Sequence, residues 1–257
     1  MREIVGEIGR EAVPDPLKVA NNDRAGALTK RFYREATAER TEEGYELRLD
    51  GRPARTPGRN RLAVPSARVG EAMAAEWAAQ GERIDPTSMP VTRTANSAID
   101  GVANRMDAVR DDVAAFAGSD LLCYRADDPE GLVERQQAAW DPVLDRFASE
   151  RGARFTLQTG IMPVEQPPQA LDAVRERLAG IDDPFRLAAL HVATTLTGSA
   201  LLALAILDGW IDADAAWSAA HVDEDWNIEL WGEDEEAMVR RAARKRDMDA
   251  AALILGS

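Results

Sequence analysis

Residues 119–126 read SDLLCYRA and bring together residue types that could form a reactive centre. Cys123 is the single cysteine of the chain, and Asp120 and Arg125 lie within three residues of it. A cysteine thiolate next to a base or an arginine can act as a nucleophile. However, a cysteine that follows two leucines is typical of a packed core, where it behaves as a small hydrophobic residue. We therefore predict that Cys123 is buried and is not a nucleophile.

The chain has two histidines, His191 and His221, either of which could in principle approach the cysteine. His191 lies within an uncharged run, which favours a hydrogen-bonded core histidine. One cysteine excludes an internal disulfide and, with only two histidines, leaves little room for a metal site. The phosphate-binding patterns GxGxxG and GxxxxGK[ST] are missing from the sequence. We therefore predict neither a metal nor a cofactor.

A second set of reactive side chains is the carboxylate cluster between residues 223 and 236. Its members are Asp223, Glu224, Asp225, Glu229 and the four acids at 233–236. Paired carboxylates can do acid–base catalysis, so a small-molecule hydrolase or isomerase is one interpretation. Like-charge runs more often form a solvated helix face. Trp226 and Trp231 lie among these acids, and protein interfaces use tryptophan beside charge as an anchor.

On a helix, Glu224, Asn227, Ile228 and Trp231 would share one face, because they are spaced i, i+3, i+4, i+7. We therefore predict a partner-binding surface on this segment. Its candidate residues are Asp223, Glu224, Trp226, Asn227 and Trp231. Inward packing of both tryptophans is an equally compatible interpretation, since tryptophan is usually largely buried.

The charge balance restricts the classes of partner. The chain has 257 residues with 45 acidic and 31 basic side chains, a net charge of −14. Such a charge disfavours nucleic acid or an anionic membrane surface as the main partner. The polar, turn-rich residues 1–27 are predicted to be loosely held, and they show no signal or transit pattern. We expect a bacterial cytoplasmic protein, or a mitochondrial matrix protein if a transit segment was removed.

Residues 187–207 carry no charge over 21 positions, which is long enough to span a bilayer. The run also contains His191 and three threonines. No basic cluster flanks it, and Asp182, Asp183 and Asp208 bracket it. These features favour a buried central helix of a helical bundle over a membrane span. We predict no membrane insertion.

The remaining patterns predict an α+β protein with a small, mainly β N-terminal domain (1–90) and a larger all-α domain (91–257). Tyr45, Leu47 and Leu49 alternate at period two, Asp50–Gly51 supplies a turn, and RLAVPS predicts a further strand. A helix is predicted to follow Ser66 and to end at Gly81. Later helices are predicted at 94–117, 131–151 (with a kink or a fresh start at Pro142), 168–179, 187–207, 212–231 and 233–255.

Six runs together resemble the assembly chaperones for the alpha subunit of the F-type ATP synthase catalytic head. They occur in the family's order and cover about residues 30–232. The runs are KRFY (30–33), LDGRPARTP (49–57), EWAAQGERIDPTSMPVTRTANSAID (76–100), SDLLCYRA (119–126), QAAWDP (137–142) and EDWNIELWG (224–232).

The resemblance implies a small β domain followed by a helical domain, and a function without catalysis. A member of this family would hold the unassembled alpha subunit and shield the surface that the beta subunit later covers. Glu224 matches a glutamate important in the family's motif. Arg93, Asn96 and Asp120 match family positions and could form a buried polar network that joins the domains. We expect a monomer, and residues 233–257 depart from the family's pattern.

Overall fold

The computed structural model describes residues 28–160 and 162–257. The segment 1–27, which the sequence predicts to be loosely held, lies outside these residues. The described chain begins with a small antiparallel sheet and continues into packed helices. The predicted α+β fold class is therefore confirmed.

The sheet is built around one central strand. Its strands are β1 (Ala36–Thr41), β2 (Gly44–Leu49), β3 (Arg52–Pro53) and β4 (Ala63–Val64). Strand β2 pairs with β1 along one edge and with both β3 and β4 along the other, always antiparallel. Leu47 and Leu49 are buried, as their period-two spacing predicts. The predicted turn is confirmed, because Asp50 and Gly51 both have positive φ.

Helix α1 (Ala67–Ala78) packs against β1 and β2. Gly70 permits this close approach, since a β-carbon there would lie 2.8 Å from Cβ of Tyr45. The helix ends before Gly81, which lacks the positive φ of a terminating glycine. Instead, Nε2 of Gln80 donates to the carbonyl of Glu76 (3.0 Å) and satisfies part of the last turn. The prediction that Gly81 ends the helix was therefore wrong.

From Pro90 onward, the described residues form nine α-helices and one parallel pair of short strands. The helices are α2 (Pro90–Asp100), α3 (Met106–Ala117), α4 (Glu130–Arg151), α5 (Pro168–Ala179), α6 (Pro184–Thr197), α7 (Ala200–Leu207), α8 (Ala213–Ala220), α9 (Val222–Trp231) and α10 (Glu235–Leu255). The strands are β5 (Tyr124–Arg125) and β6 (Gln158–Thr159).

The uncharged run forms two helices, α6 and α7, rather than the single predicted helix. Gly198 breaks it with a φ of 68°, and Ser199 caps α7 by accepting a hydrogen bond from the backbone N–H of Leu202 (3.0 Å). Helix α6 contacts α2, α3, α7 and α10, and both helices are buried. The predicted burial is confirmed. Within the described ranges, no helix is long and apolar enough to cross a bilayer.

Two further predicted helices are each divided in two, whereas the helix predicted at 131–151 is present. The segment 94–117 is divided between α2 and α3 by a 3₁₀ turn at Val102–Asn104, although the buried stripe continues through Val109 and Val113. Helix α4 runs through Pro142 without a fresh start. The segment 212–231 is divided into α8 and α9 at His221.

Two carboxylates attach helix α2 to the sheet region. At its start, Glu76 accepts hydrogen bonds from the backbone N–H groups of Val91 and Thr92 (2.7 and 2.8 Å). At its end, Asp100 accepts from the side chain of Thr56 (2.6 Å) and the backbone N–H of Gly58 (2.7 Å). Helix α2 is thus held at both ends by the N-terminal part of the chain.

The predicted single network of Arg93, Asn96 and Asp120 was wrong. Arg93 pairs with Asp247 of α10, so it joins two helices of the bundle. Asp120 accepts hydrogen bonds from the backbone N–H groups of Leu122 and Leu201 (3.1 Å each), at the start of α7. The two side chains therefore bind different elements: Arg93 binds α10, and Asp120 binds the start of α7.

The SDLLCYRA loop has a structural role, because it binds the start of α7. Asp120 is completely buried, and burial raises the pKa of its carboxyl to about 6 although several hydrogen bonds lower it. Cys123 is also fully buried, and burial together with the nearby Asp120 charge raises the pKa of its thiol to about 12. The thiol is therefore neutral at neutral pH, which agrees with the core assignment and gives no thiolate nucleophile.

Asp120 should make stability fall as pH rises between about 4 and 6. In this window the folded protein keeps the proton while the unfolded chain, with a pKa near 3.8, has released it. The stabilisation from the Asp120 proton is complete below the pKa of the unfolded chain, and it is lost as the pH rises through the pKa of the folded protein. The free energy of unfolding should fall by on the order of 3 kcal/mol across this window. Denaturant unfolding of the wild type and of Asp120→Asn at several pH values measures it.

Asp120→Asn should be less stable than the wild type at every pH, since one carboxylate acceptor becomes an amide. The deficit should be larger at acidic pH than at neutral pH. A deficit that does not change across the window would contradict the raised pKa.

Candidate partner-binding surface

Helix α9 carries the predicted binding residues, and a histidine fixes where it begins. The Nδ1–H of His221 donates to the carbonyl of Trp217 (2.7 Å), and the two rings stack 3.9 Å apart. Burial lowers the pKa of His221, which favours the neutral ring. The first turn of α9 then carries Asp223, Glu224 and Asp225. Acidic side chains at this position interact favourably with the helix dipole.

One face of α9 is attached to α4. Arg135 forms a bidentate pair with Glu229 (2.8 and 2.7 Å), and this pairing lowers the pKa of the Glu229 carboxyl. The same guanidinium lies 4.8 Å from the ring centre of Trp226. The indole occupies space that Gly131 leaves open, since a β-carbon on Gly131 would lie 2.9 Å from the ring.

Two more acids of α9 are also bound within the protein. Asp223 accepts a hydrogen bond from Nε2 of Gln136 on α4 (2.7 Å). Asp225 forms an ion pair with Arg241 of α10. Helix α9 is therefore fixed between α4 and α10 by polar contacts.

The remaining face is open, and we call it the α9 outer surface: Glu224, Asn227, Leu230 and Trp231. Trp231 is 83% exposed and Leu230 57% exposed. Glu224 and Asn227 are exposed as well, and the Glu224 carboxylate lies 3.7 Å from Nε2 of His221. An exposed tryptophan beside an exposed leucine is an apolar feature that a protein partner can bury.

The structure thus separates the five predicted binding residues into two groups. Glu224, Asn227 and Trp231 are exposed and lie on the α9 outer surface. Asp223 is also exposed, but it accepts a hydrogen bond from α4, and half-buried Trp226 packs against α4. The interpretation in which both tryptophans pack inward is wrong for Trp231. Sequence reasoning missed Leu230, although it follows Asn227 at helical spacing and directly precedes Trp231.

Three acids of the cluster bind groups on different helices. Asp223 and Glu229 bind side chains of α4, whereas Asp225 binds α10. A hydrolase or isomerase that uses paired carboxylates needs both carboxylates to face one substrate-sized space. Residues 28–160 and 162–257 also contain no group of three or more side chains placed to hold a metal ion. The geometry therefore favours binding over the hydrolase or isomerase interpretation.

Comparison with known proteins identifies the family. A profile described as ATP12 chaperone protein matches residues 30–148. The crystal structure of Atp12 from Paracoccus denitrificans is 42% identical, with a TM-score of 0.79 over 89% of this chain and 97% of that one. The chain belongs to the ATP12 chaperone family.

Two further relatives extend the comparison. A candidate chaperone from Agrobacterium tumefaciens is 48% identical, with a TM-score of 0.84 over 96% of this chain and 92% of that chain. The mitochondrial Atp12 protein of Schizosaccharomyces pombe is 23% identical over 225 residues, which are 81% of this chain and 75% of that protein. The recognised family is that of ATP synthase assembly chaperones, as the six sequence runs predicted. Helix α9 lies outside the range of the family profile.

The Arg135–Glu229 pair should hold α9 on α4. Glu229→Gln keeps the size of the side chain but removes the charge that makes the pair bidentate. We expect α9 to detach more often, so its backbone amides should exchange with solvent about fivefold faster while the bundle core stays protected. Hydrogen exchange followed by mass spectrometry measures this.

Glu236→Gln is the matched control, because Glu236 pairs with Arg240 inside α10 (2.7 Å) and does not contact α4. Equal acceleration in both variants would show that the Arg135–Glu229 pair does not attach the helix.

Proposed function

We propose that this protein binds the unassembled alpha subunit of ATP synthase through the α9 outer surface. It then keeps the client's exposed interface from aggregating until the beta subunit covers it. The observation that carries the proposal is Trp231, which is 83% exposed at the end of a helix whose opposite face is fixed to the protein.

The chemistry of the α9 outer surface suits a chaperone that binds its client reversibly. A buried indole removes about 150–250 Å² of surface from water, which makes tryptophan an effective anchor. Glu224 and Asn227 add polar groups next to it, so the surface offers both apolar and charged contacts. A mixed surface of this size supports modest affinity, which a later partner can overcome.

The overall charge assists the encounter. The chain carries a net charge of −14, so basic patches on a client would be attracted over a distance of roughly 8 Å at physiological salt. A monomer in the bacterial cytoplasm or the mitochondrial matrix fits this role, and the Schizosaccharomyces pombe relative is mitochondrial.

Co-expression with the alpha subunit from the same source tests the proposal. Alpha should be more soluble with the wild type than alone. Trp231→Ala should weaken the complex about thirtyfold, as expected for the loss of a hot-spot anchor of about 2 kcal/mol. Glu224→Lys should weaken it too, because the charge next to the anchor is reversed. The soluble fraction of alpha and its co-purification with the chaperone are the measurements.

Two exposed residues away from α9 supply matched controls. Glu42→Lys makes the same charge change in the turn between β1 and β2, and Leu157→Ala removes an exposed apolar side chain elsewhere. Both should leave alpha soluble. If all variants match the wild type, the α9 outer surface is not the binding site. If the wild type fails to keep alpha soluble, alpha is not the client.

A further inference from the structure

A second apolar feature lies in the sheet region, away from α9 in sequence. A groove of about 610 Å³ opens there. Its lining residues are Phe32, Tyr33, Leu49, Asp50, Arg52, Pro53, Ala54, Arg55 and Trp77. This volume is typical of sites that bind a small ligand or a few peptide side chains.

The floor of the groove is a row of three aromatic rings. Phe32 meets Tyr33 edge-on with ring centres 5.4 Å apart, and Tyr33 lies 5.5 Å from Trp77. The Tyr33 hydroxyl donates to the carbonyl of Trp77 (2.7 Å), and the Trp77 indole donates to the hydroxyl of Thr92 (3.1 Å). The two inner rings are therefore fixed, while Phe32 is 68% exposed at the mouth. An apolar site is already formed.

The rim of the groove is positive although the protein as a whole is strongly negative. Residues 30–65 contain nine basic and six acidic side chains. The nearby acids are already engaged: Glu39 and Glu46 pair with Arg48 (3.0 and 3.4 Å). The Asp50 carboxylate, which lines the groove, accepts the backbone N–H groups of Arg34 and Glu35 (2.9 Å each).

The two arginines of the rim lack acidic partners. Arg52 makes no ion pair or side-chain hydrogen bond with residues 28–160 or 162–257, and Arg55 donates only to the carbonyl of Arg59 (2.8 Å). Both side chains are exposed. Their guanidinium groups are therefore available to bind a carboxylate in the bidentate geometry that arginine favours.

The groove suits a peptide better than a nucleotide. Phosphate sites usually present backbone N–H groups at a helix N-terminus or a glycine-rich loop. Here the helix that reaches the groove does so near its C-terminal end, at Trp77, so it offers a phosphate no helix N-terminus. Carboxylates can instead bind at the arginine rim while an apolar side chain fills the aromatic floor.

We propose that this groove binds an extended acidic peptide segment, with an aromatic side chain placed against Phe32 and Trp77 and a carboxylate placed against Arg52 or Arg55. The site is distinct from the α9 outer surface and does not depend on the client proposed for that surface. A polypeptide client would then be held at two places on one protein.

The probe is a short fluorescein-labelled peptide in which glutamate alternates with phenylalanine and proline. Its fluorescence anisotropy should rise on titration with the full-length protein, and a counterpart with lysine in place of glutamate should not bind. Arg52→Glu and Phe32→Ala should each weaken binding about tenfold, as expected for loss of a charged contact or an apolar anchor. Thermal melting checks that each variant is folded.

Arg40→Glu is the matched charge control, because Arg40 is an exposed residue of β1 that does not line the groove. Trp231→Ala is the control for the other surface. Both should bind the acidic peptide like the wild type, and that pattern supports the proposal. Absence of binding, equal weakening by Arg40→Glu, or displacement of the peptide by ADP would overturn it. None of these outcomes depends on whether alpha is the client.

Discussion

The burial of the uncharged segment that forms α6 and α7 governs the architecture. Beyond Arg186 at its start, this segment is apolar on every face, and such a helix is stabilised when other helices surround it. Helices α2, α3 and α10 do so, and they come from widely separated parts of the chain. Only some of the polar groups inside have partners. Nε2 of His191 lies 2.6 Å from the Asp112 carboxylate of α3, and the Thr197 hydroxyl donates to the carbonyl of Ala193 (2.8 Å). Nδ1 of His191 and the Thr194 hydroxyl are buried without a hydrogen-bond partner among the described residues.

Carboxylates that accept hydrogen bonds from backbone N–H groups fix how the helices and the sheet region are joined. Glu76, Asp100 and Asp120 each tie the end of one element to a distant segment. Burial raises the pKa of both Glu76 and Asp120. Removing these two carboxylates from water therefore costs free energy, which their hydrogen bonds must offset. By contrast, α9 is attached through exposed contacts such as Arg135–Glu229. Helix α9, which has no buried residue, therefore rests partly on a solvent-screened ion pair.

Periodicity predicted the buried positions well, and it predicted helix boundaries poorly. Val109 and Val113 are buried as their spacing indicates, but the break before α3 depends on Asp100, whose partners lie in a loop of the sheet region.

The exposure of Trp231 was one of two open interpretations. The attachment of Trp226 requires the space above Gly131. The groove was not predictable, because only the folded sheet region brings Phe32 and Trp77 together. The division into domains at residue 90 stays a prediction.

Helix α10 is synthesised well after α6, yet it covers α6 and supplies Asp247 to Arg93. Arg244 from the same helix donates to the carbonyl of Leu196 at the end of α6 (2.8 Å). A growing chain therefore exposes α6 and α7, its most apolar segment, from the time they are made until α10 has been translated. During this period the exposed apolar surface makes the nascent chaperone itself liable to aggregate. The protein thus passes through the same hazard from which a chaperone protects other polypeptides.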